Sequence, residues 1–186
     1  MLTQPRIAPV AEAQATPEQK KFLDGLDPVS RRLNIVKSFA NNPKLAEAWI
    51  PFARYILRNS SLPARDREIL ILRIGWLNQS QYEFTQHVRV GKAAGLTDTE
   101  ITRITKGADA PGWSAFDAAL MRAAEQLHTG SMIDDQVWNT LKSRYDENQL
   151  MDVVVTTGQY NLVSWYLNAL GTPFEDGITP YPMLAR

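Results

Sequence analysis

Residues 68–87 read EILILRIGWLNQSQYEFTQH, a long apolar run that passes through Asn78 and Gln79 into a polar segment carrying one glutamate and one histidine. The apolar part continues the charged first turn of PARDREILILRIGWLN, residues 63–78, and over 69–77 hydrophobic side chains fall on almost every side of a helical wheel. A helix that is apolar all round is a buried one. Glu68 and Arg73 are therefore charges on a buried element, and such charges need partners. A second helix is predicted over 80–94, stopped by Gly95, and Thr97-Asp98-Thr99-Glu100 opens a third that stops at Gly107.

The flanks carry the same helix punctuation. Thr16-Pro17-Glu18-Gln19 offers a cap, a first-turn proline and a capping-box partner, and Asn42-Pro43 repeats the cap-proline signal before a run in which Pro51 should kink or break the helix. A short helix is predicted around 33–40. Beyond a loop at 108–112, helices are predicted over 114–128, closed by Gly130, and over 134–145. The last run, 149–170, contains Val153-Val154-Val155-Thr156-Thr157, which by propensity suits a strand. With no other strand to pair with, its backbone groups would go unsatisfied, so a helix ended by Gly171 and Pro173 is the better reading. The tail over 172–186, with three prolines, is expected to be extended and either to pack on a neighbour or to be loosely ordered. The fold class is all-α, in a single domain spanning 1–186, a length sufficient for one substantial core.

Composition narrows the function. Lys plus Arg and Asp plus Glu balance at 20 each, so there is no electrostatic footprint for nucleic acid or an anionic membrane. No segment is apolar long enough to span a bilayer and the N-terminal stretch lacks a signal-peptide core, so the expected compartment is the cytoplasm. The absence of cysteine removes disulfides, thiolate ligands and redox dithiols, leaving His87 and His128 as the imidazoles. His128 precedes a helix stop, where an imidazolium meets the C-terminal dipole, and is read as a cap.

Glu83 and His87 lie four apart and share one helix face. A carboxylate beside an imidazole can fix its tautomer, raise its pKa and form an acid/base pair. Two structural readings stand beside this one. Ser80-Gln81-Tyr82-Glu83 is a formal capping box, in which Glu83 reaches back to a backbone amide, and His87 beside Phe84 and Val88 fits a hydrogen-bonded core histidine. The aromatic residues Tyr160, Trp165 and Tyr166 fit a core or a subunit interface, with the lining of a pocket between subunits as the alternative.

The run Arg67-Glu68, the apolar helix, Tyr82-Glu83-Phe84, His87, then Gly95-Leu96-Thr97 and Glu100-Ile101 resembles the carboxymuconolactone decarboxylase and alkylhydroperoxidase-D-like family, with the motif match covering 62–106. The resemblance implies an all-helical fold with a core antiparallel helical hairpin, assembled as a homotrimer or hexamer. The family's peroxidase branch has a glutamate, a Cys-x-x-Cys pair and a histidine, and the corresponding positions here are Glu68, Ser80, Glu83 and His87. Both cysteines are replaced, so disulfide exchange is lost, while the decarboxylase branch has this cysteine-less pattern. The resemblance thus implies acid/base chemistry.

The expectation is a cofactor-independent lyase or isomerase that transfers a proton to a small acidic or lactone-like metabolite. His87 is the expected proton donor, Glu83 the group that orients and charges it, and Glu68 a relay carboxylate. Ser80, Tyr82 and Arg73 are the substrate-binding candidates, with Arg89 a further arginine. Arg73 has the alternative of pairing with Glu68. Neither metal nor cofactor is expected, since one histidine with Glu83 and Glu68 makes a poor ligand set. The alternative function is a non-catalytic family member that binds a small molecule or acts as a scaffold; hydroperoxide reduction ranks below both for want of cysteine.

Overall fold

The protein is described by a computed structural model covering residues 2–182. Among these residues every regular element is helical: ten α-helices, one 3-10 turn at Glu12–Gln14 and one π-helical turn at Tyr55–Asn59. No helix among them is long and apolar enough to cross a membrane. The chain divides into two compact units.

The first unit comprises the chain up to Asn59 together with Tyr166–Pro180. It holds α1 (Pro17–Asp24), α2 (Pro28–Arg32), α3 (Asn34–Phe39) and α4 (Pro43–Arg54). The predicted capping box forms, with Gln19 N donating to Thr16 Oγ1 and Thr16 N to Gln19 Oε1, and Asn42 caps α4 through Leu45 N. Asp27-Pro28, a cap-proline signal passed over in the sequence, starts α2 in the same way. Pro51 does not break α4. The helix runs through it, and the departure from α geometry comes four residues later as the π turn, where one extra residue relaxes the ladder that the proline has weakened. Phe39 stacks between Trp49 and Tyr166, each at 4.0 Å. Of the two outcomes open to the tail, its first part packs on a neighbour, α3: Asn34 N donates to Glu175 Oε1 (2.6 Å), Asn34 Nδ2 to the carbonyls of Pro173 and Phe174, and Ser38 and Thr172 share a buried hydroxyl contact. The tail's last four residues lie outside the described range.

The second unit, Ser60–Trp165 with the residues from Tyr181, holds α5 (Ala64–Leu77), α6 (Gln81–Ala93), α7 (Asp98–Lys106), α8 (Ala115–Gly130), α9 (Asp135–Lys142) and most of α10 (Glu147–Leu170). Helix α5 packs on α6, α7 and α8, and residues 68–75 are all buried, as the all-round apolar pattern requires. Helices α5 and α6 run antiparallel. A Cβ at Gly75 would touch Phe84, and one at Gly91 would lie 3.7 Å from Glu68 Cβ and only 3.0 Å from Leu96 Cδ1. The hairpin turns through Gln79, held at φ 52°, whose side-chain amide donates to the Trp76 carbonyl.

The other charges on α5 tie helices together. Asp66 accepts from the Tyr145 hydroxyl at 2.6 Å, and Arg65 bridges Glu100 of α7 and Asp117 of α8. Helix α10 lies alongside α5, with Asp152 accepting from Ser60 and Ser61 near its start and Asn161 accepting from Asn78 Nδ2 (2.6 Å) further on. The β-branched run 153–157 is helical; tertiary burial overrides its propensity. Gly130 does not close α8, because Ser131 takes the left-handed cap at φ 58°.

Candidate active site

The hairpin brings two carboxylates of the motif onto one imidazole. Glu68 reaches from α5 so that its Oε2 lies 2.6 Å from His87 Nδ1, and Glu83, one turn before His87 on α6, places Oε1 3.0 Å from Nε2. All three are buried, with 0%, 4% and 8% of Glu68, Glu83 and His87 exposed. Burial alone would push the ring toward neutrality. The two carboxylates outweigh it, Glu68 more than Glu83, and raise the His87 pKa from 6.5 to about 10, since an adjacent opposite charge favours the ionised form. The ring is an imidazolium at neutral pH, with both N–H groups donating to carboxylate oxygens.

The capping box over 80–83 does not form. Ser80 N donates to the Gly75 carbonyl at 2.9 Å, the Ser80 side chain makes no cap hydrogen bond, and the Glu83 carboxylate faces His87. The Ser80 hydroxyl is fully buried and has no hydrogen-bond partner among the described residues. Tyr82 is buried on the same helix. Arg73 is directed elsewhere. Its guanidinium takes Glu125 at 2.9 Å and the carbonyls of Ile104 and Thr105, so the arginine beside Glu68 is Arg67, with Nε 3.3 Å from Glu68 Oε1. Arg89 is exposed. His128 lies in the last turn of α8 and meets Asn161 Oδ1 at 3.2 Å.

Two neighbours of the imidazole lay outside the sequence reading of the site. The Tyr160 ring packs edge-on to His87 with centroids 4.9 Å apart. Its phenol pKa is raised well above 10 by burial first and then by the Glu83 and Glu68 charges, with Arg67 opposing. Arg67 was visible only as the residue before Glu68. No motif links Tyr160 to a histidine 73 positions earlier; the one available signal was its place on the buried face of α10. Chemically, the cluster can hold a proton on a buried ring and pass it between that ring and a carboxylate. Among the described residues no group of three His, Cys, Asp or Glu side chains has the arrangement a metal ion needs.

Residues 43–126 match the carboxymuconolactone decarboxylase family. Two solved structures similar in fold are an uncharacterised peroxidase-related protein from Silicibacter sp. TM1040 (TM-score 0.77, 14% identity, 96% of this chain and 97% of that one) and an alkylhydroperoxidase AhpD core protein from Ralstonia eutropha JMP134 (0.78, 14%, 97% and 100%). A third is the debrominase Bmp8 in complex with 2,3,4-tribromopyrrole (0.70, 12%, 94% and 94%). No curated protein sequence matches. At these identities the structures establish an alkylhydroperoxidase-D-like fold, and within it residues 43–126, which contain no cysteine, match the carboxymuconolactone decarboxylase family.

Proposed function

We propose that the protein is a cytoplasmic, cofactor-independent lyase or isomerase that delivers a proton to a small acidic or lactone-like metabolite. The observation that carries this reading is the His87 imidazolium held between two buried carboxylates, where the peroxidase branch of the family has a cysteine at the position of Glu83. In a decarboxylation of the kind the family is named for, the carbon–carbon bond to the carboxylate breaks, CO2 leaves, and the electron pair delocalises into the lactone carbonyl as a dienolate. A proton must then reach carbon. His87 Nε2–H, in the longer of the two contacts, is the proton to be handed over when Glu83 turns aside. Glu68 keeps its hold on Nδ1 and acts as the positioning residue that keeps the ring charged.

The test is turnover on a panel of unsaturated lactones and keto acids, read as CO2 release and as deuterium incorporated at carbon from D2O. His87→Gln should abolish turnover and Glu68→Gln should lower it on the order of 100-fold. Inactivity of the wild type across the panel overturns the reading. A second reading, a non-catalytic member that binds a small molecule or serves as a scaffold, is favoured by one feature of the same geometry: both ring nitrogens already have partners, as in a structural ion pair. In either case the working form is proposed to be a homotrimer or hexamer, since Met151, Val154, Val155, Leu162 and Trp165 form an exposed apolar stripe along α10.

A further inference from the structure

Of the basic side chains on α5, Arg65 and Arg73 are each spent on carboxylates or carbonyls of α7 and α8. Arg67 is not. Its side chain is only 11% exposed, its Nε donates to Glu68 at 3.3 Å, and Nη1 and Nη2 donate to nothing among the described residues. Tyr160 is 5% exposed and fixed by its ring contact with His87, and its hydroxyl makes no hydrogen bond among the described residues. The two lie at the edges of one cluster, Arg67 against Glu68 and Tyr160 against the His87 ring. The outer face of a guanidinium is a planar fork of two N–H groups that matches the two oxygens of a carboxylate.

We propose that Arg67 anchors the carboxylate of a small anionic ligand on its Nη1 and Nη2, with the Tyr160 hydroxyl as a third donor, beside the His87 proton. This rests on the acid/base reading above and deepens it by assigning the residues that select an acid over its neutral analogue. Charge bookkeeping fits the assignment. Glu68 and Glu83 carry two negative charges and the imidazolium one positive, so without Arg67 the buried cluster would repel an anion, and with it the cluster is neutral. A guanidinium serving only as a counterion to Glu68 would be replaceable by an ammonium, whereas a fork would not.

The experiment is calorimetric binding of muconolactone, benzoate and 2-oxobutanoate, each against its methyl ester, to wild type, Arg67→Lys and Tyr160→Phe. At least one acid should bind the wild type some 10- to 100-fold more tightly than its ester. Arg67→Lys should lose most of that preference while keeping its melting temperature and the high-pH titration of His87, which shows the charge beside Glu68 preserved. Tyr160→Phe should lose a few-fold. Equal binding of acid and ester, no binding of any of the three acids, or an Arg67→Lys protein with wild-type preference overturns the proposal. Because binding is read without turnover, an enzyme inactive on the lactone panel that still prefers the acids would sink the catalytic reading and leave this one standing.

Discussion

Glu83→Gln separates the two accounts of position 83 with one isosteric change. In the structure Glu83 Oε1 lies 3.0 Å from His87 Nε2, and the ring titrates at about 10 against an ordinary 6.5. Removing one opposite charge at that range shifts a pKa by roughly one to two units, so the variant's imidazole should titrate near 8 to 9. The linkage follows from the sign. A folded-state pKa above the unfolded one contributes stability that is complete below about pH 6.5 and is lost as pH rises through the folded value. At 1.36 kcal/mol per unit, the wild type should lose on the order of 4 kcal/mol between pH 7 and just above 10 through this group, and the variant about 2 kcal/mol less. The pH dependence is the quantity to compare, because the desolvation of Glu83 itself adds a pH-independent offset. The assay is the histidine Cε1–H titration by NMR, with His128 as the second resonance, alongside urea unfolding at several pH values. A His87 midpoint that does not move, or one near 6.5 in the wild type, refutes the coupled triad.

Three further outcomes are expected. His87→Ala leaves Glu68 and Glu83 buried side by side without their cation, so a loss of roughly 3 to 5 kcal/mol at pH 7 is expected in urea unfolding, smaller at pH 5 where a carboxylate can take a proton; equal loss at both values would contradict the charge argument. No thiol-dependent peroxidase turnover is expected with organic hydroperoxides and a dithiol, because no residue can form a sulfenic acid; turnover above buffer in a clean preparation refutes this. Light scattering at micromolar concentration should give a mass above 20.9 kDa, reduced by Leu162→Glu on the exposed stripe of α10; a monomeric wild type contradicts self-association.

The helices were legible wherever local chemistry marks an end: Thr16, Asn42, Thr97 and Ser114 cap as their residue types require, and the all-round apolar pattern of α5 located the buried helix. What was not legible depends on where side chains arrive in space. Ser80-x-x-Glu83 satisfies the capping-box spacing, yet Gly75 takes the Ser80 amide and an imidazole out of view of local sequence takes the carboxylate. Arg73 and Arg67 are equivalent by type, and only the arrival of Glu125 and the end of α7 at one of them decides which is occupied. Gly130 looked like the helix stop, and the left-handed residue is Ser131, because cap chemistry fixes a boundary only to within a residue or so.

The same contrast between occupied and open charges separates structure from site. Ionisable groups in an apolar hairpin do not earn their place through stability, since a buried ion pair is often no better than well-packed hydrophobic side chains of the same volume. The outer charges of α5 have a structural account all the same: Asp66 closes on Tyr145 of the α9–α10 connection, and Arg73 closes on Glu125 of α8 and the last carbonyls of α7. The inner cluster differs in kind. It places two carboxylates on one imidazole, which favours the protonated ring, and beside that cluster the Arg67 fork and the Tyr160 hydroxyl make no hydrogen bond among the described residues. At Arg73, by contrast, the fold supplies its own carbonyls and a carboxylate. The Arg67 fork against Glu68 and the Tyr160 hydroxyl on the ring that packs against His87 are what a ligand with a carboxylate at one end and a protonatable carbon at the other would complete.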